Sequence, residues 1–224
     1  MKKETSTIPI VMATGADPVG AGLVASLARP GGNITGLSGF YEVTPLKMLE
    51  LAATVVPPGA RVALLIDLKS PFSGGEHREE VERAVKTFGF RADYLEAGSA
   101  DDLTRAFAAS GKNRPAIVVV PAGALFFALG ERMVKSVGEL KLPLIGPFEE
   151  WSDFGALMTY AVSLTESYRR AASYVDKILR GAKPADLPIE QPTRLSLAVN
   201  LKTARQLGIA IPAAVLARAG RVIE

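Results

Sequence analysis

Four short clusters carry the side chains able to hold a small polar molecule. The first is Thr14-Gly-Ala-Asp-Pro18, which follows the apolar run Ile8-Pro-Ile-Val-Met12. If a helix opens after Pro18, its free amides and dipole attract an anion such as a carboxylate. Asp17 serves equally well as the N-cap of that helix. The second cluster is Asp67-Leu-Lys-Ser-Pro-Phe-Ser73. There Asp67 can accept hydrogen bonds from an ammonium, and Ser70 or Ser73 can cap a helix or meet a polar group. The third is Pro121-Ala-Gly-Ala-Leu-Phe-Phe127, where Gly123 and Ala124 leave room for a ligand and Phe127 is expected in the core. The fourth is Pro147-Phe-Glu-Glu-Trp151. Phe148 and Trp151 can stack on an apolar group and Glu149 can pair with an ammonium, or Trp151 can simply close the edge of the domain. Tyr160 either reaches the same region with its hydroxyl or is core with that hydroxyl satisfied.

These residues suit recognition better than catalysis. The chain has one histidine and no cysteine. His77 stands among Glu76, Arg78, Glu79 and Glu80, the pattern of a solvated helix face. No nucleophile–base pair, H-E-x-x-H zinc motif or Gly-Lys-Ser/Thr phosphate loop occurs. No enzyme activity, metal or cofactor is therefore expected. Gly20-Ala-Gly22-Leu-Val-Ala25 matches a G-x-G-x-x-A spacing, with Glu42 at about the distance of a ribose contact. However, Thr14 to Val19 separate it from the strand, and a dinucleotide turn needs its glycines directly after the strand. Close packing of a small-residue helix face is the alternative.

The elements that must position the four clusters alternate between strand and helix. After the strand at Ile8, an apolar helix is expected over Gly20–Ala28, stopped by Arg29-Pro-Gly-Gly32, and then a second strand. Beyond it the pattern predicts helix 45–55, strand 61–67, helix 75–89, strand 91–97, helix 101–111, strand 116–121, helix 124–140 and strand 143–147. A turn at 149–154 leads to strand 156–162, helix 164–181, strand 195–200 and helices 201–207 and 212–218. Asp101 and Asp102 after Ser99 mark a helix start. Arg61-Val-Ala-Leu-Leu-Ile66 and Ala116-Ile-Val-Val-Val120 are unbroken apolar runs, as central parallel strands require. The fold class is α/β, a doubly wound parallel sheet built from right-handed crossovers. Each cluster then sits at the carboxyl end of a strand, where open α/β sheets bind ligands.

The stretch Ile8–Ser38, the segment Arg180-Gly-Ala-Lys-Pro-Ala-Asp-Leu-Pro-Ile-Glu-Gln-Pro-Thr193 and the ending Val199-Asn-Leu-Lys-Thr-Ala204 through Glu224 occur together in one order. This wording resembles the tryptophan-binding type of ABC-transporter substrate-binding proteins over essentially the whole chain. The resemblance implies a type I periplasmic-binding-protein fold with two lobes around a hinge. It implies a solute, possibly an amino acid, held in an interlobe cleft and handed to an ABC permease. Residues 1–42 are then part of the first lobe, 43–180 the second, and 181–224 a crossover and return to the first. Hinge strands fall at Ser38–Val43, near Ser163, and near Leu187-Pro-Ile-Glu-Gln-Pro192. Asp67-Leu68 departs from the Asn-Pro more usual in the family, and Val120–Ala124 lacks the polar residue usual near its proline. Lys2–Thr7 resembles the tail of a helix inside the first lobe, so the sequence is expected to open partway through that lobe. A ligand-sensing regulator of the same fold and a nucleotide-dependent enzyme are the alternative functions.

Composition narrows the partners. The 224 residues carry a net charge of +3, with basic and acidic residues mixed along the chain. No basic stripe with interleaved aromatics appears, so nucleic acid is not an expected partner. No window approaches a membrane span, and Met1–Thr7 is not a basic–apolar signal, so the chain as written is expected in the cytoplasm, whereas the family implies the periplasm or cell envelope. Open sheet edges in a partial first lobe predict a homodimer.

Overall fold

The computed structural model describes residues 4–15, 17–39, 44–68, 75–109, 114–191 and 195–224. Ser70, Ser73, Glu42 and the hinge residues 40–43 lie outside the described residues. The chain divides into two compact units, one of residues 1–40 with 162–195 and the other of 41–161 with 196–224.

The larger unit is built from twelve of the strands and helices expected in the sequence, with a short helix at the expected turn and one further strand. In chain order it contains helix α1 (Thr44–Ala53), strand β3 (Arg61–Asp67), α2 (Gly75–Thr87), β4 (Arg91–Ala97), α3 (Ala100–Ala109), β5 (Ile117–Val119) and α4 (Ala124–Glu139). It continues with β6 (Leu144–Gly146), α5 (Trp151–Phe154), β7 (Met158–Ala161), β8 (Ser196–Asn200), α7 (Leu201–Leu207), α8 (Ala213–Leu216) and β9 (Arg221–Ile223). The sheet order is β4-β3-β5-β6-β7-β8-β9, parallel except between β7 and β8. Strands β3 and β5 are central and almost wholly buried, because their unbroken apolar sequences can be covered on both faces. Met48, Leu49, Val62, Leu64, Ile117, Ile145, Met158 and Val199 form one core beneath α1 and the carboxyl-terminal helices. Helix α3 starts as its acidic residues imply. The Asp102 carboxylate accepts from Ser99 Oγ at 2.8 Å and from the Gly98 amide at 3.0 Å. Those bonds, with Arg105 adding a third, hold its carboxyl down to about 2.

The smaller unit is a two-stranded parallel sheet of β1 (Ile10–Met12) and β2 (Ile34–Gly36), with helix α6 (Leu164–Leu179) and a 3-10 turn at Pro184–Asp186. Leu37, Ala171 and Tyr174 with Val11 and Ala13 fill one face of the sheet. Val24, Ile34 and Ile189 with Ile10, Met12, Leu23 and Leu27 fill the other. The segment after the 3-10 turn lies along β2. Glu190 N–H donates to the Gly36 carbonyl and the Glu190 carbonyl accepts from Ser38 N–H. Thr35 Oγ1 donates to the Leu187 carbonyl at 2.7 Å and the Tyr174 hydroxyl to the Pro188 carbonyl at 2.7 Å. Gly36 has φ of +122°, and a Cβ there would stand 2.2 Å from the Met12 carbonyl oxygen, so only glycine lets β1 approach.

Three expectations are corrected. No helix forms over Gly20–Ala28; the segment is a series of turns. Gly22 sits at φ of +63° and the Leu23 and Val24 amides both donate to Pro18, so the chain turns back after a single i→i−4 bond from Ala21 to Asp17 instead of continuing as a helix. With neither helix nor tight turn after the strand, the Gly20 motif has no dinucleotide geometry. The lobe limits also differ. Residues 164–179 pack on β1 and β2, and residues 196–224 extend the large sheet through β8 and β9, rather than belonging to the second and first lobes respectively. Strand β9 has no counterpart among the expected elements, because Arg221-Val-Ile223 is short and only partly buried.

Candidate functional site

The strand order β4-β3-β5-β6-β7 reverses direction between β3 and β5. The chain leaves β3 toward one side of the sheet and β5 toward the other, which opens a crevice at their carboxyl ends. Asp67, the last residue of β3, and Gly123, in the loop between β5 and α4, lie side by side at these strand ends. A Cβ placed on Gly123 would stand 3.0 Å from Asp67 Oδ2, so the absence of a side chain is what lets the carboxylate lie there. Asp67 is only 5% exposed. Ala124, the first residue of α4, is exposed, and Gly123 and Pro121 are half-buried.

The next loop, after β6, carries an aromatic stack. Trp151 is 2% exposed and fits between two glycines: a Cβ on Gly130 would meet its Nε1 at 2.2 Å, and one on Gly146 its ring at 2.3 Å. Its place is structural, the second of the two roles open in the sequence. Phe148 is also buried and packs on Trp151 with ring centroids 5.4 Å apart. On its other side Phe148 meets Phe127 edge-on at 5.1 Å. Phe127 is 56% exposed, against the expectation that it is core; its neighbour Phe126 points inward instead and is fully buried. In the first turn of a helix two consecutive residues point about 100° apart, so one phenylalanine can fill the core only if the other faces out. Glu149 is half-buried, and its carbonyl accepts from Ser152 Oγ. Tyr160 packs against the large core.

In the smaller unit, Thr14 and Asp17 are half-buried and Pro18 is buried. Asp17 has φ of +24° and its Oδ1 accepts from the Gly20 amide at 2.8 Å. The amides of Ala21 and Gly22 bond to the carbonyls of Asp17 and Val19. Asp17 thus caps a turn, and the amides expected to receive an anion are spent inside that turn. A separate cavity of about 240 Å³ opens between α3 and α4, lined by Leu103, Phe107, Leu129 and Met133. It is small for a ligand pocket and lies on a helix face rather than at strand ends. Among the described residues no group of three potential metal ligands occurs, and no helix is long and apolar enough to cross a membrane.

A mainly parallel, doubly wound sheet of this order is the fold of the periplasmic-binding-protein class. The chain belongs to the ABC transporter substrate binding protein family, whose pattern it matches over residues 1–223. It is 25% identical over 212 residues to a tyrosine-binding protein of Clostridioides difficile, covering 91% of this chain and 58% of that protein. The chain thus spans less than two thirds of that relative. Among solved structures it resembles an ABC domain from Streptococcus pneumoniae in complex with L-Trp, with a TM-score of 0.84 and 25% identity over 99% of this chain and 76% of that one. It also resembles a conserved domain protein of Vibrio cholerae, with a TM-score of 0.86 and 27% identity over 99% of this chain and 73% of the other.

Proposed function

We propose that this chain binds an amino acid reversibly and acts as the solute-binding component of an ABC importer, delivering the solute to a permease. One observation carries the reading. The switch-point crevice of the larger unit combines a carboxylate at Asp67 with small residues at Gly123 and Ala124, in a fold shared with a protein solved with L-Trp bound. Asp67 and Glu149 supply negative charge for an ammonium, and Gly123 and Ala124 leave space for the backbone of the ligand. Phe148 stiffens the apolar wall from behind. Ser70 is the further proposed contact there; Thr14, Asp17 and Pro18 are proposed separately, as ligand contacts of the smaller unit. Membership of the family supports a location in the periplasm or cell envelope for this activity. A second copy of the chain is the proposed cover for the outer edge of β1, which no strand pairs among the described residues.

A thermal-shift screen of the purified chain against the amino acids tests the reading. A ligand present at a hundred times its dissociation constant adds about 2.7 kcal/mol of stability. A selective upward shift with one or a few amino acids is expected. No shift with any amino acid at millimolar concentration contradicts it.

A further inference from the structure

We infer that Phe127 determines the side-chain specificity of the site, by offering its ring as a stacking surface that favours aromatic over small amino acids. The inference rests on the proposed amino-acid site and adds to it a residue that the sequence pattern places in the core. Three observations carry it. First, Phe127 is 56% exposed, whereas the rings beside it are buried: Phe126 fully, Trp151 at 2% and Phe148 at 7% exposure. One edge of the ring packs on Phe148 and the rest is open to solvent, where a second ring can reach it. Second, it stands one helical turn from the crevice: its amide donates to the Gly123 carbonyl at 2.9 Å, and Gly123 is the residue in contact range of Asp67. Third, the ring is mounted firmly. It rests edge-on against Phe148, Phe148 rests on Trp151, and Trp151 is clasped between Gly130 and Gly146, where not even a methyl group fits. A ring held this way loses little freedom when a second ring packs on it, which is the condition for stacking to add affinity.

The test is isothermal titration calorimetry of the whole chain and of Phe127→Ala with L-tryptophan, L-tyrosine and L-alanine. Stacking of this kind is worth a factor of about 2 to 12 in affinity. Phe127→Ala should weaken binding of tryptophan and tyrosine by that factor and leave alanine unchanged, while Phe127→Tyr retains the preference. The near-UV circular dichroism of Trp151 in each variant shows that the stack beneath is intact. An equal loss for all three ligands, or no loss for any, overturns the role of Phe127 while leaving the amino-acid site standing. If the unaltered chain binds none of these three and no other amino acid, both are overturned.

Discussion

The two units solve the same problem with different means. The larger one holds seven strands in one sheet and fills its interior with aliphatic side chains that need no directional partners. The smaller one has two three-residue strands, too few to be stable as an isolated sheet, and divides its apolar residues between two small clusters. It adds directed polar bonds: Thr35 to Leu187, Tyr174 to Pro188, Asn33 Nδ2 to the Ile8 carbonyl at 2.8 Å, and Arg170 Nε to Glu190 at 2.7 Å. Where a sheet is wide, burial sets the structure; where it is narrow, particular hydrogen bonds fix the register.

Substitutions at the centre of each unit should separate these two modes. The largest effect is expected from Trp151→Ala, which empties the space between Gly130 and Gly146 and removes the support of Phe148. Core aromatic deletions cost about 3–5 kcal/mol, so the thermal transition of the larger unit should fall by several degrees. Gly36→Ala should come next. It forces a Cβ against the Met12 backbone at a positive φ, and backbone strain alone costs about 1–3 kcal/mol. Hydrogen exchange should show faster amide loss in β1 and β2, with β3 to β6 unaffected. If both units soften equally, their stabilities are not separable as described.

Smaller effects probe the polar fastening. Tyr174 is buried, which pushes its hydroxyl above the usual phenol range, and that hydroxyl donates to Pro188. Tyr174→Phe leaves the Pro188 carbonyl without this partner and should cost about 1–2 kcal/mol by denaturant titration. The smallest effect belongs to Glu190. The Arg170 guanidinium bonded to it holds its carboxyl below the usual range. A carboxyl depressed on folding stabilises the protein above its unfolded value of about 4.3, and that contribution disappears as pH falls through the lower folded value. The pair is partly exposed, so the contribution is under about 1 kcal/mol. Glu190→Gln should flatten this part of the acid limb in a pH series of melting temperatures, and an unchanged limb would show the pair to be idle.

The same contrast explains what could be read in the sequence. Strands β3 and β4 and helix α7 begin and end where the sequence marks them; β3 is an unbroken apolar run inside the sheet, and the Asn200 side chain caps α7. The segment Gly20–Ala28 has the composition of a helix yet folds as turns, since its few apolar residues are satisfied by the small sheet and its glycines permit other backbone angles. The carboxyl ends of the parallel strands, where the site is proposed, were legible too, since they follow from the alternation of elements. The exchange of roles between Phe126 and Phe127 was not, because which of two adjacent rings faces the core depends on the start of α4 to within one residue. Trp151 shows the same limit, as its glycine clasp joins residues from α4 and β6 that no local pattern connects.

The central claim is that the switch-point crevice of the larger unit binds an amino acid. Amide chemical-shift mapping of the isotope-labelled chain during titration with L-tyrosine tests it most directly. The account predicts saturable shifts centred on Asp67, Gly123 to Phe127, and Phe148 and Glu149. Shifts gathered instead on the groove between α3 and α4, or no saturable shifts at all, would contradict it.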